Sequence, residues 1–279
     1  MKILIAGAQG QLGRCLNSAL TADELIALNR AALDVTDLPM VREVVSAHAP
    51  DLVINASAYN DVDGAEANQS TAFMVNAEGP RNLALATAEL SIPLVHVSTD
   101  YVFDGKSRNA YNEFADANPL STYGRSKLAG EENVRDLNPR HYIVRTAWLF
   151  WEQGRNFLLS MYRSAARPEV CVVADTFSSP TYVPHLAEGV ARLIRTKTYG
   201  TYHLAGKGAA SRWDLVLELY RILGIRRTVT PVPQSAFPAV AKRPEFSVLT
   251  TAAWPRIELP AWQQGVAMFA RRVRPVEIA

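Results

Sequence analysis

Cysteine is scarce in this sequence of 279 residues, like charges never gather in blocks, and long apolar runs are missing. Cys15 and Cys171 cannot build a disulfide framework and sit in no Cys-x-x-Cys pair, which excludes a stapled secreted fold and a zinc ribbon. A reduced, cytoplasmic location is the expectation. The histidines His48, His96, His141, His185 and His203 are scattered, with none at the two-His spacing of a helical metal site, so no resident metal is expected. No stretch reaches the roughly 18 apolar residues of a spanning helix. The apolar start Met1-Lys-Ile-Leu-Ile-Ala-Gly7 is too short for the core of a signal peptide, so no membrane association is expected. Lysine and arginine number 29 against 27 acidic residues, a net charge of +2, and no nucleic-acid partner is expected. The densest basic group, Arg271, Arg272 and Arg274, reads as a solvated tail.

What is present is ordinary globular material. Hydrophobic residues make up 48% and charged residues 20%, which excludes wholesale disorder. The first half alternates strand-like and helix-like stretches. Strands are expected at 2–6, 24–28, 52–55, 93–98 and 141–146, and helices at 12–20, 38–49, 70–90 and 123–136. Near-continuous apolar strands separated by helices imply a doubly wound, Rossmann-like parallel α/β sheet covered on both faces. After Trp148 the rhythm decays and prolines thicken at Pro231, Pro233, Pro238 and Pro244. This predicts a dinucleotide-binding domain over 1–153 with a returning segment 181–205, contributing a helix at 183–194 and a strand at 201–204. A second, smaller α/β substrate lobe is expected over 154–180 and 206–279.

Gly7-Ala-Gln-Gly10-Gln-Leu-Gly13 lies between the first strand and the first helix. Glycines there let the backbone turn tightly and approach a pyrophosphate, whose charge meets the N–H groups of the helix N-terminus. The bland reading is a plain strand-to-helix turn; the position in a βαβ unit favours the dinucleotide. At the end of the second strand stands Asn29-Arg30, where an acidic residue would hold a ribose 2′-hydroxyl and an arginine a 2′-phosphate. NADPH is therefore expected over NADH, the alternative being an exposed arginine without a ligand. Asp34, Val35 and the segment Asn55-Ala-Ser-Ala-Tyr59 follow strand ends where adenine and ribose would lie.

Tyr123-Gly-Arg-Ser-Lys127 is the one Tyr-x-x-x-Lys of the chain. On a helix this spacing puts both side chains on one face, about 6 Å apart along the axis. Ketone reduction needs a hydride from a nicotinamide and a proton from an acid. A tyrosine with an ordinary pKa of about 10 is a sluggish donor, and a neighbouring ammonium would lower it. Lys127 is also placed to grip the nicotinamide ribose. Four residues alone favour an amphipathic tyrosine beside a surface lysine. The segment Ser98-Thr-Asp-Tyr-Val-Phe-Asp-Gly105 closes the fourth strand, however, and Thr99 or Ser98 there would orient a carbonyl beside Tyr123.

Together these segments resemble the dTDP-4-dehydrorhamnose reductase family of extended short-chain dehydrogenases. The resemblance runs through 7–13, Leu33-Asp-Val-Thr-Asp37, 55–63 with Ala65-Glu66, Val75-Asn-Ala-Glu-Gly79 and 98–105. It continues in 123–131, Arg145-Thr-Ala-Trp148, Asn156-Phe157, and Arg243-Pro-Glu-Phe-Ser247 with Leu249. It implies NADPH- or NADH-dependent reduction of the 4-keto group of a dTDP-4-keto-6-deoxy sugar. Carried over by position, Thr99, Tyr123 and Lys127 form the catalytic trio, and Asp100, Tyr101 and Trp148 contact the substrate. By the same carry-over Gly10, Gln11, Leu12, Asp34, Val35, Ala58, Tyr59 and Asn60 contact the cofactor, and the reading of the residues themselves adds Gly7, Gly13, Arg30, Tyr123 and Lys127. Trp148 also fits core packing at a strand end. Arg145 and Arg243 fit either a diphosphate or surface ion pairing.

The chain departs from the family pattern at Thr176, Ser178 and Phe246, positions expected on the nucleotide-sugar side, and at Asn60, where threonine is common. Some relatives dimerise around magnesium; a homodimer is possible here, and no ligand cluster supports the metal. Two alternatives use the same residues. One is a sibling reductase making another deoxysugar. The other is a non-catalytic regulatory subunit similar to the β subunit of methionine adenosyltransferase, against which the intact Tyr/Lys/Thr set weighs.

Overall fold

Alternation within β1 (Lys2–Ala6) explains the central layer of the molecule. Ile3 and Ile5 point into one apolar cluster, Leu4 and Ala6 into another, so both faces of the strand are dry. A computed structural model describes residues 1–273, and Arg274 of the basic group lies outside the described residues. After β1 follow α1 (Gln11–Ala19), β2 (Glu24–Leu28), α2 (Leu38–His48), β3 (Leu52–Asn55), α3 (Val62–Ala67) and α4 (Gln69–Phe73). Then come α5 (Gly79–Glu89), β4 (Leu94–Thr99), α6 (Thr122–Leu137) and β5 (His141–Thr146). Helix starts are locally encoded: Asp37 caps α2 by accepting from the Met40 N–H at 3.1 Å, and Ser121 caps α6 by accepting from Gly124 at 3.1 Å.

The second half supplies β6 (Leu149–Phe150), α7 (Phe157–Arg163), β7 (Glu169–Val173), β8 (Phe177–Ser178), β9 (Thr181–Tyr182) and α8 (Val183–Leu193). It ends in β10 (Gly200–His203), β11 (Ala210–Ser211), α9 (Arg212–Leu223), β12 (Thr228–Val232) and α10 (Trp262–Arg272). The six-stranded sheet is ordered β10-β5-β4-β3-β1-β2, all parallel. The chain thus returns to the sheet through β10, which pairs with β5. The strand order reverses between β1 and β3, which opens the crevice where such sheets bind ligands. The remaining strands form small pairs, notably parallel β7 with β12.

One apolar cluster runs from the α1/α8 face of the sheet through Phe150 and Tyr182 into Val172, Leu215 and Phe269. The second lobe therefore shares its core with the sheet. The stretch 70–90, expected as one helix, is instead α4, a π-helical turn at Met74–Glu78, and α5. The reason lies in Asn76, whose side chain accepts from the Tyr59 N–H at 2.8 Å and donates to its carbonyl at 3.0 Å. Its amide also reaches Ser126 of α6 at 3.0 Å. The widened turn presents Asn76 to both neighbours, a frequent use of π-bulges.

Candidate active site

The glycine loop sits at the strand-order reversal. Gly7 leaves β1 at φ 79°, and a Cβ there would lie 2.7 Å from the Ser57 nitrogen beyond β3. Gly10 begins α1 without a side-chain cap, so the first N–H groups of α1 stay available to an anion. Gly13 does not line the cleft; a Cβ on it would meet Ala8 Cα at 2.6 Å, so its absence lets α1 pack onto the loop. Two adjoining cavities of about 410 and 340 Å3 share Gly10, Ala56, Ser57, Ala58 and Asn60 as common wall. The first is also walled by Gly7, Arg30, Asp34, Val35 and Tyr59, the second by Gln11, Leu12, Thr99, Asp100, Tyr101, Tyr123, Lys127 and Trp148. Asp34 is held below the usual carboxylate range, first by the N–H and hydroxyl of Thr36 at 3.0 and 2.8 Å. The Arg30 side chain is 81% exposed and meets Asp34 at 3.4 Å, free to swing towards a ligand.

At the other end of this cleft β4 and α6 converge. The Thr99 hydroxyl accepts from the Tyr101 N–H at 3.1 Å and donates to Asp100 Oδ1 at 3.1 Å, and it lines the same cavity as Tyr123. Burial pushes the Tyr123 phenol above its ordinary value, with the Thr99 hydroxyl opposing. The expected lowering by Lys127 is absent from this arrangement. Lys127 is 2% exposed and its ammonium donates to the Val97 carbonyl at 2.6 Å. Burial lowers Lys127 to about 8, while the Glu131 carboxylate one turn further along α6 pulls it back up. His96, beneath them on β4, is held neutral by burial and then by the Lys127 charge.

Asp100 is placed differently from an open substrate contact. It is 2% exposed, and its Oδ2 accepts from Ser178 at 2.9 Å and Ser247 at 2.5 Å, both from the second lobe. Burial raises its carboxyl to about 6, against those hydroxyl bonds. Arg145 meets neither a diphosphate nor the surface. It is 4% exposed and grips the buried Glu131 with two donors, Nε to Oε1 at 2.9 Å and Nη2 to Oε2 at 2.6 Å.

A further cavity of about 600 Å3 opens between the lobes. Its apolar wall comes from Phe157, Met161, Val170, Val172 and Phe237, and its charged wall from Asp63, Arg167, Glu169, Arg212 and Arg243. The Arg212 guanidinium lies between the rings of Trp148 and Phe157, 4.5 and 4.7 Å from their centroids. Trp148 is therefore a half-buried cleft wall, with φ 40°, and not core. The Tyr101 hydroxyl adjoins both Arg212 and Arg243 and joins this cavity to Tyr123 through ring contact at 5.8 Å. The departures at Thr176, Ser178 and Phe246 do not line it. β8 is pinned to β11, and the Phe177 and Phe246 backbones form a bridge, which turns Ser178 onto Asp100 instead. Arg167, Arg212, Met161 and Phe237 escaped the sequence reading. No motif marks them, and only the α9 capping box Ser211/Asp214 hinted that Arg212 opens a helix.

Comparison with known proteins places this geometry. The family described as RmlD substrate binding domain matches residues 1–274, and the chain belongs to it. A Streptomyces niveus protein named dTDP-4-keto-6-deoxy-D-glucose reductase is 41% identical over 90% of this chain and 89% of its own. A Mycobacterium tuberculosis dTDP-4-dehydrorhamnose reductase is 40% identical over 91% of this chain and 86% of its own. The crystal structure of a Bacillus anthracis dTDP-4-dehydrorhamnose reductase in complex with NADP superposes with a TM-score of 0.93. It is 36% identical and covers 96% of this chain and 98% of that one.

Proposed function

We propose that this member of the family is an NADPH-dependent oxidoreductase that reduces the 4-keto group of dTDP-4-dehydro-6-deoxy-L-mannose to give dTDP-L-rhamnose. The observation that carries the reading is the meeting of Thr99, Tyr123 and Lys127 where the glycine-walled cleft adjoins the arginine-walled cavity. The glycine loop fits a pyrophosphate, since its backbone leaves no room for a Cβ at Gly7 and leaves the α1 N-terminus uncapped. Gly7, Gly10, Gln11 and Leu12 would hold that pyrophosphate. Arg30, Asp34, Val35, Ala58, Tyr59 and Asn60 would hold the adenosine end, and Lys127 the nicotinamide ribose. NADPH, when bound, supplies the hydride.

The residues of the chain supply the rest. Burial keeps the proton on Tyr123 in the resting site, as a donor requires. As the C4 oxygen takes up negative charge, Tyr123 gives it that proton, and the Lys127 ammonium, once turned from the Val97 carbonyl, would stabilise the phenolate left behind. The Thr99 hydroxyl, on the same cavity wall as Tyr123, aligns the carbonyl. The nucleotide fits the larger cavity, with apolar side chains around the base and Arg212 and Arg243 facing the diphosphate. Arg243 is held there by Asp63 through Nη2 at 2.7 Å and adjoins the Tyr101 hydroxyl.

The test is a spectrophotometric assay with NADPH and the dTDP-4-keto-6-deoxy sugar. Loss of reduced-nicotinamide absorbance, with dTDP-L-rhamnose as product, is the expected result; intact NADPH binding without turnover would sink the reading. A second reading, a sibling reductase with a different deoxysugar product, is favoured by the identity to the Streptomyces niveus protein. Product stereochemistry separates the two. We place the activity in the cytoplasm, a reading supported by the two free cysteines.

A further inference from the structure

The segment that walls the cofactor cleft runs directly into a second contact. Tyr59 and Asn60 line the adenosine-side cavity, Asp61 caps α3 by accepting from the Gly64 N–H at 2.9 Å, and Asp63 stands in the first turn of that helix. Asp63 does not face the cofactor cleft. It reaches into the second lobe, where Oδ1 accepts from the Ala241 N–H at 3.0 Å and Oδ2 accepts from Arg243 Nη2 at 2.7 Å. Burial works against its charge, and these bonds outweigh burial, holding the carboxyl below its ordinary range. One guanidinium nitrogen of Arg243 is thus fixed by Asp63, while the group also adjoins the Tyr101 hydroxyl and lines the nucleotide cavity. A guanidinium is a rigid fork, so fixing one prong aims the other.

We propose that Asp63 is a positioning residue that aims Arg243 at the diphosphate of the nucleotide sugar and ties the order of the 239–243 strap to occupancy of the cofactor cleft. The inference rests on the reading of the larger cavity as the nucleotide-sugar site. Ordering of residues 59–60 by cofactor would be felt at Asp63, the third residue further along the chain, and through it at Ala241 and Arg243. By reciprocity, a nucleotide held by Arg243 would favour the cofactor-bound arrangement by the same factor.

The test is calorimetric titration of dTDP into the full chain, with and without saturating NADP+. For the unaltered protein, binding should tighten by about fivefold when NADP+ is present, near the lower end of common coupling strengths. Asp63→Asn retains an oxygen for the Ala241 N–H but cannot accept from Arg243. It should weaken dTDP by about tenfold, the scale of one charge-assisted bond, and remove the NADP+ effect. NADP+ affinity should stay unchanged, which a general loss of structure would not allow. Arg243→Gln should weaken dTDP similarly, and Asp63→Asn in that background should add little. If the unaltered protein binds no dTDP, the functional reading itself falls. If it binds dTDP and Asp63→Asn behaves like it, or loses NADP+ affinity in equal measure, or keeps the NADP+ effect, the role of Asp63 is overturned. Should Asp63→Asn fail to fold, full dTDP affinity in Arg243→Gln would overturn it as well.

Discussion

The two ends of the cleft are built by different means. The end proposed for the dinucleotide draws on short continuous stretches at the tips of β1, β2 and β3, and presents glycines, backbone N–H groups and small side chains. The end proposed for the nucleotide sugar draws Asp63 from α3, Phe157 from α7, Val170 and Val172 from β7, Arg212 from α9 and Arg243 from a loop, and presents guanidinium groups and rings. A backbone-made site needs particular residues at fixed spacing, because only glycine permits the close approach at Gly7 and Gly13. A side-chain-made site needs only that its members converge in space. The first kind leaves a pattern in the chain, and the second leaves almost none. Thr99, Tyr123 and Lys127 lie where the two meet.

Substitutions should separate the ends, and the junction should respond most. Tyr123→Phe removes the proposed proton donor and should lower kcat by about 10²–10⁴-fold, with NADPH affinity, read by fluorescence titration, nearly unchanged. A parallel loss of NADPH affinity would mean that the junction and the dinucleotide end are not separable. Glu131→Ala strands the buried Arg145 charge and should remove about 3–5 kcal/mol of stability, measured by denaturant unfolding. Arg212→Ala should raise KM for the nucleotide sugar by about tenfold or more while leaving the KM for NADPH alone. Equal shifts in both would erase the contrast between the ends.

The pH profile reports on the junction alone. Lys127 holds its proton below about 8 and loses it as pH rises through that value, so activity should fall on the alkaline side near pH 8. Because the Glu131 carboxylate raises Lys127, Glu131→Gln should move that limb to lower pH; a limb that stays put assigns it to another group. The smallest effect is expected from Arg30→Ala. Its side chain is 81% exposed and its one ion pair is screened, so the preference for NADPH over NADH should shrink only by about fivefold.

Legibility followed the same division. The sheet strands could be read because a doubly buried strand is apolar at nearly every position, as 3–6 and 52–54 are, and the helices because their apolar residues recur at helical spacing. The π-helical turn at Met74–Glu78 could not be read, since its cause is a contact between Asn76 and Tyr59, 17 residues away. Arg145 misled for a similar reason. An arginine at a strand end suggests an anion until Glu131 is seen folded against it. At Asp100, the bonds to Ser178 and Ser247 span 78 and 147 residues, beyond the reach of any local pattern.

The sequence by itself determined the parallel α/β layer, the glycine loop and the one-turn spacing of Tyr123 and Lys127, because each depends on neighbours in the chain: burial on both strand faces, backbone clearance and helical periodicity. Only the tertiary structure decided that Asp100 holds the second lobe, that Arg145 neutralises Glu131, and that Arg212 and Arg243 converge beside Tyr101. Those arrangements arise from charges and hydroxyls brought together by folding, and a buried polar group takes whichever partner the packing delivers.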